Sequence, residues 1–170
     1  MNKGLSTKQL LFFIKHNCRT YCRFKGIFSF NNLPKYLPKN SCLIFNSDPT
    51  SKPGSHWLAL FMNSNKEMEF FDSYGLDATF YKLTKKNLPK HYSLKCNKTQ
   101  LQDLYSTKCG YFCLYYLYFK VRQYKMEDIC TDFFKNNLKQ NDNLVTRFVK
   151  YIYIHNHYFS LLPKCINNNH

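Results

Sequence analysis

Cys109-Gly110-Tyr111-Phe112-Cys113-Leu114-Tyr115-Tyr116-Leu117-Tyr118-Phe119-Lys120-Val121 is apolar or aromatic almost all the way round a helical projection. A helix with no polar face belongs inside a core. The stretch therefore predicts a central buried helix over 110–121, with Cys109 at its N-terminal end.

Upstream lie strand signals. Cys42-Leu43-Ile44-Phe45 is a short apolar run, followed by a Ser/Asp/Pro/Gly turn region over 47–54. His56 to Met62 (HWLALFM) is near-continuously apolar, as a strand buried on both faces is. Asn63-Ser64-Asn65-Lys66 predicts a hairpin turn, and Met68 to Phe71 the returning strand. A further strand is expected around Tyr92–Cys96 and Thr99–Leu101. Gly26, Asn31, Asn32, Pro34 and Pro38 make 24–38 a stretch of loop and turns. Ser6 is placed to cap a first helix over 6–17, with Leu10 to Ile14 buried. Downstream, a helix over 126–138 turns Ile129, Phe133 and Leu138 inward. A last helix over 143–155 carries Leu144, Val145, Phe148, Val149 and Ile152 on one face, with Asn141 or Asp142 as its cap. The expected class is α+β: a small mixed sheet packed on the central helix, with helices at both ends. No repeat, linker or composition break divides the 170 residues, so one domain over 1–170 is expected.

The net charge is +15, from 25 basic and 10 acidic residues, which points to a polyanionic partner, nucleic acid first. Only Arg19, Arg23, Arg122 and Arg147 among the basic residues are Arg. Lys, Asn, Tyr, Phe and Ile share AT-rich codons, so coding bias explains part of the lysine load. Lys82, Lys85, Lys86, Lys90, Lys95 and Lys98 form one candidate phosphate-binding group; Lys120, Arg122 and Lys125 form a second. The apolar run Leu10–Ile14 is too short to span a bilayer and no small-residue cleavage site follows it, so neither a signal peptide nor a membrane span is expected. The eight cysteines are then expected as free thiols in a reducing compartment. His16, Cys18, Cys22, His155 and His157 do not have finger spacing, and no metal or organic cofactor is expected.

Thiol chemistry needs a thiolate, a base and donors for an oxyanion. Cys109 at a helix start meets unpaired N–H groups and a favourable dipole, and Gly110 after it lets another chain approach. Cys113, one turn inside, reads as packing. His56 opens the buried strand beside Trp57. Asp72 ends the next strand, so the outer ends of two antiparallel neighbours bring carboxylate and imidazole side by side. The carboxylate then holds one ring nitrogen and leaves the other for sulfur. A lone His or Asp at such a place is more often structural; the case lies in the combination. Gln102, seven residues before Cys109, is either a polar loop residue or an amide donor.

The blocks Gly54-Ser55-His56-Trp57-Leu58-Ala59, Phe71-Asp72-Ser73-Tyr74-Gly75 and Gln102…Cys109-Gly110-Tyr111-Phe112-Cys113 resemble, in order and spacing, the active-site blocks of the adenovirus endoprotease family. That family includes related proteases of Polinton/Maverick elements and other DNA viruses, and the resemblance spans roughly 5–160. It implies a cysteine endopeptidase with His56 as base, Asp72 as third member, Gln102 as oxyanion donor and Cys109 as nucleophile. It further implies processing of viral capsid and core precursors, a preference for small residues at the cut, and DNA as cofactor and track. The adenovirus enzymes commonly carry Glu where Asp72 stands; the ubiquitin-like-protein proteases of the same clan carry Asp. The family's mammalian members also use a disulfide-linked capsid-derived peptide as activator. The matching position falls near His91, and Cys96 is the closest candidate thiol. The resemblance places the protein in the virion and the host nucleus or assembly site, as a monomer. Two other readings share the sequence features: a deubiquitinase- or SUMO-protease-like enzyme, and a non-catalytic basic DNA-associated virion protein.

Overall fold

The computed structural model of the protein describes residues 4–63, 67–83 and 93–159, with side chains as far as 152. Helices α1 (Thr7–Lys15) and α2 (Cys18–Arg23) lead into strand β1 (Phe24–Ser29). Strands β2 (Ser41–Asn46), β3 (Trp57–Met62), β4 (Glu67–Phe71) and β5 (Ser93–Cys96) follow. Helices α3 (Cys109–Lys120), α4 (Met126–Thr131) and α5 (Leu138–Phe159) complete the chain. The strands form one mixed sheet in sequence order. β2, β3 and β4 are antiparallel neighbours, while β1 runs parallel to β2 and β5 parallel to β4. The class is the expected α+β arrangement.

Strand alternation divides the core in two. Cys42, Ile44, Ala59, Phe61 and Phe71 face α3, where they meet Phe112, Cys113 and Tyr116. Leu43, Phe45, Leu58, Leu60, Met68 and Phe70 face the other way, onto Leu37, Ala78 and Leu83. Both faces of β2 and β3 are thus covered, which is why their sequences are runs rather than alternations. α3 is the helix read from its all-round apolar pattern. Its last turn is closed by a charged contact: Lys120 Nζ lies 2.7 Å from Glu69 Oε1 on β4, and Tyr116 donates to Glu69 Oε2 at 2.7 Å, all three side chains buried.

Several expectations are corrected. The stretch 24–38 opens with β1, joined to β2 across a register irregularity between Phe24 and Ile27, where Gly26 sits at φ +138°. α2 was not expected. Thr99–Leu101 is not a strand. α4 stops at Thr131, and α5 begins at Leu138 rather than 143. Asn141 and Asp142 therefore lie inside α5, and Asn137 caps it, accepting from Gln140 N at 3.1 Å. Asn141 is instead a buried clasp: it bonds both Phe134 N and O and donates to Leu101 O at 2.9 Å. Cys18 is disulfide-bonded rather than free, whereas Cys22, Cys42, Cys96, Cys109, Cys113 and Cys130 are free thiols. α1 begins as expected: Ser6 and Gln9 make a reciprocal capping box, which satisfies two otherwise open amides. The turn residues 64–66, Tyr92, Cys165 and the side chains of His155 and His157 lie outside the described residues. Among the described residues no helix is long and apolar enough to cross a membrane.

Candidate active site

The β2–β3–β4 meander sets one end of the sheet against the start of α3. His56 immediately precedes β3, and Asp72 immediately follows β4. The β3–β4 register pairs Ala59 with Phe71, so the two residues emerge side by side. His56 Nε2 lies 2.7 Å from Asp72 Oδ1, and both side chains are buried, Asp72 completely. The carboxylate can only accept, because it also takes N–H donors from Tyr74 at 3.0 Å and Leu76 at 3.1 Å and the Tyr81 hydroxyl at 2.9 Å. Nε2 is therefore the protonated nitrogen and Nδ1 is left for sulfur. Burial alone would push the His56 pKa down. The Asp72 hydrogen bond, and then the interaction with the Cys109 side chain, reverse this and raise it to about 9. Both partners thus favour the protonated ring.

Cys109 opens α3, and Lys108 at the cap offers the first-turn amides no side-chain hydrogen bond. Those amides and the helix dipole favour negative charge at the sulfur's end of the helix. Cys109 lies on a cleft of about 710 Å³, together with Trp57, Tyr74, Gly54 and Ser106. Gly54 is required there by its φ of +88° and by the Asn46 side chain, 2.6 Å from where a Cβ would stand. Trp57 Nε1 donates to Leu5 O at 2.8 Å, which holds the segment before α1 against the cleft.

Gln102 is brought in by the 97–102 segment, which lies across the Asp72–Gly75 turn. Leu101 N and Gln102 N both donate to Ser73 O, at 2.8 and 3.0 Å. Gly75, at φ +70°, permits this approach: a Cβ there would come within 2.5 Å of the Thr99 backbone. The Gln102 side chain is fully buried. Its Oε1 accepts from Ser73 Oγ at 2.6 Å, and its Nε2 donates to Ser106 O at 2.9 Å and to Tyr74 Oη at 3.3 Å. The four residues singled out in the sequence thus converge, but the Gln102 amide spends both hydrogens inside the protein.

Three further residues at the site had no individual signal. Asn97 holds the Asp72 backbone, Tyr81 holds its carboxylate, and Tyr74 stacks on His56 with ring centroids 4.6 Å apart and planes 21° apart. Tyr74 alone was foreshadowed, as the aromatic before Gly75.

The described basic candidates differ in their surroundings. Lys82, Lys98 and Lys125 are exposed. Lys95 pairs with Glu127 at 2.6 Å. Arg122 is half-buried, 3.5 Å above the Tyr118 ring, with Nη1 donating to Tyr118 O. Lys120 is buried on Glu69 and is corrected from a phosphate contact to a core ion pair. Lys85, Lys86 and Lys90 lie outside the described residues. Among the described residues no group of His, Cys, Asp and Glu is arranged to hold a metal ion.

No protein-family model matches the chain, and no curated protein matches it. Among solved structures, it is similar to the selenomethionine crystal structure of the ASFV pS273R protease. The TM-score is 0.50 at 17% sequence identity, over 85% of this chain and 68% of that one. At that identity the likeness is one of fold.

Proposed function

We propose that the chain is a cysteine endopeptidase of the adenovirus-protease type. The reading is carried by one observation: a buried His56–Asp72 pair beside Cys109, at an uncapped helix start that opens on a cleft. The likeness in fold to a viral protease supports it.

In this reading the His56 imidazolium stabilises the Cys109 thiolate, which attacks a peptide carbonyl carbon. The C–S bond forms as the carbonyl π electrons move to oxygen. The helix-start amides and the Gln102 side of the site stabilise that oxyanion. Collapse breaks the C–N bond, and His56 gives its proton to the departing amine. Water, deprotonated by the now neutral His56, then adds to the thioester carbonyl; collapse breaks the C–S bond, releases the carboxylic acid and restores the Cys109 thiolate beside the His56 imidazolium. Asp72 keeps the ring in the tautomer and orientation that both steps need.

The substrates proposed are capsid and core precursors of a virus or virus-like element, cut during particle maturation in the virion or the host nucleus. DNA acts as a sequence-independent stimulating surface, contacted through Lys82, Lys98, Lys125 and the basic residues around them. A capsid-derived activating peptide is a further proposed partner, and no metal or organic cofactor takes part.

Incubation with the capsid proteins encoded beside it, with and without DNA, followed by mass mapping of new termini, tests this. New termini that disappear with Cys109→Ala are expected. No new termini in any condition sinks the endopeptidase reading, and cleavage of ubiquitin-like fusions alone moves the substrate class to those modifiers.

A further inference from the structure

We propose that Tyr74 is a catalytic residue: its phenol O–H, held in place by Gln102, donates to the oxyanion that forms when Cys109 attacks a carbonyl. The inference rests on the cysteine-enzyme reading above and assigns a direct donor within it.

The argument begins with the orientation of the Gln102 amide. Ser106 O, a carbonyl, can only accept, and it lies 2.9 Å from Nε2. That fixes which end of the amide is nitrogen. Oε1 in turn takes the Ser73 hydroxyl at 2.6 Å. The second Nε2 hydrogen goes to Tyr74 Oη at 3.3 Å. Gln102 is fully buried and has no amide hydrogen left over.

A phenol oxygen that accepts from an amide keeps its own proton to give. Among the described residues, no acceptor receives the Tyr74 proton. The ring is not free to carry that proton away. It is stacked on His56 at 4.6 Å, and its backbone N–H is tied to Asp72 Oδ1 at 3.0 Å. Tyr74 lines the same cleft as Cys109. Burial, followed by the nearby Cys109 and Asp72 charges, raises the phenol's pKa, so it stays protonated wherever His56 cycles. Accepting from Gln102 polarises the O–H and makes it a better donor.

The chemistry balances without a new reactant. Sulfur forms a bond to the carbonyl carbon, the π pair becomes a lone pair on oxygen, and that oxygen accepts one hydrogen bond from Tyr74 and one from the Cys109 amide. Tyr74 keeps its proton throughout, and the hydrogen bond is released as the C–O double bond returns and the leaving group departs. Gln102 is then a positioning residue that acts through Tyr74.

Two small reagents separate the oxyanion from the thiolate. Acylation of Cys109 by p-nitrophenyl acetate passes through an oxyanion; alkylation by iodoacetamide displaces iodide and does not. Both rates at Cys109 are followed by peptide mass mapping of the full-length protein and of Tyr74→Phe, whose ring preserves the stack on His56. Loss of a hydrogen bond to a charged oxygen is expected to lower acylation about tenfold or more, with alkylation at the parent rate. Gln102→Ala should lower the same ratio, and the double variant should be no worse than the poorer single one. An unchanged ratio in Tyr74→Phe overturns the proposal. So does a parallel fall in both rates, which would make Tyr74 a support for His56. Multiplying effects in the double variant would mean that Gln102 donates by itself, and would overturn the relay. If the parent's Cys109 reacts no faster than its exposed Cys22 with either reagent, the cysteine-enzyme reading fails and this proposal with it.

Discussion

Asn97 brackets the Asp72 backbone: its Oδ1 accepts from Asp72 N at 2.8 Å, and its Nδ2 donates to Asp72 O at 2.6 Å. The bracket is buried, and it fixes the backbone from which the carboxylate reaches His56. Asn97→Ala leaves two buried backbone groups without partners, at about 1–3 kcal/mol of stability. It should also lower turnover on the order of tenfold or more, because the His56 ring loses a fixed anchor. Thermal melting and a cleavage assay check this; a variant with both unchanged shows the bracket to be incidental.

Cys109 should be the thiol that reacts first. Burial pushes the Cys42 thiol up to about 12 and, with nearby acidic charges, does the same for Cys130; Cys113 is raised well above the ordinary value by burial. Exposed Cys22 is the competitor. Limited iodoacetamide labelling at neutral pH should mark Cys109 ahead of Cys22, and Cys109→Ala should abolish cleavage with melting unchanged. Faster labelling of Cys22 counts against an activated Cys109.

Stability should fall as pH rises through the His56 titration. Its folded pKa, about 9, lies above the ordinary 6.5. A raised pKa stabilises the fold fully below the unfolded value, and that contribution is lost as pH passes the folded one. The melting temperature should therefore decline between those two values, and Asp72→Asn should flatten the decline while removing most turnover. Asp72→Glu should also lose activity despite the family's use of Glu. The extra methylene displaces a carboxylate that already accepts from His56, Tyr74, Leu76 and Tyr81. An Asp72→Glu variant at full rate would show that these four contacts adapt.

DNA affinity and stability should separate among the lysines. Lys82→Ala, Lys98→Ala and Lys125→Ala together should flatten the log–log salt slope by about three, with stability nearly constant. Lys120→Ala should leave the slope alone and destabilise by about 3–5 kcal/mol, because Glu69 is left buried without its counter-charge, held by the Tyr116 hydroxyl. Fluorescence anisotropy on a short duplex between about 50 and 200 mM salt reads the first effect, and denaturant unfolding the second. An unchanged slope in the triple variant returns the net charge of +15 to coding bias.

The central meander and α3 were legible because their signals are local: a hairpin between two apolar runs, and a helix apolar all round. The placement of His56, Asp72 and Cys109, though not their role, was legible because strand ends and a helix start bring them together without knowledge of side-chain packing. β1 was not, since Gly26 breaks its pattern and its pairing with β2 is parallel and non-local. Asn141 was misread as a cap because an Asn before an apolar face usually is one; only the folded chain brings Phe134 and Leu101 to it. Asn97 was invisible for the same reason: its partner is 25 residues away, in the middle of another element's end. Lys120 carried a charge that the sequence assigns to the surface and the core uses.

That buried charge has a geometric consequence. An apolar helix carries little in its pattern to choose between neighbouring angular settings, so directional contacts make that choice. Glu69 and Lys120 act as a detent: only one angular setting and one axial position of α3 make the bond. Eleven residues away, about 16 Å along the axis, the same setting determines where the Cys109 sulfur points. Glu69→Leu with Lys120→Met should keep the helix buried and yet slow iodoacetamide at Cys109; an undiminished rate would show that the socket alone aims it. The far end of the helix thus works as the sight by which its near end is trained on His56.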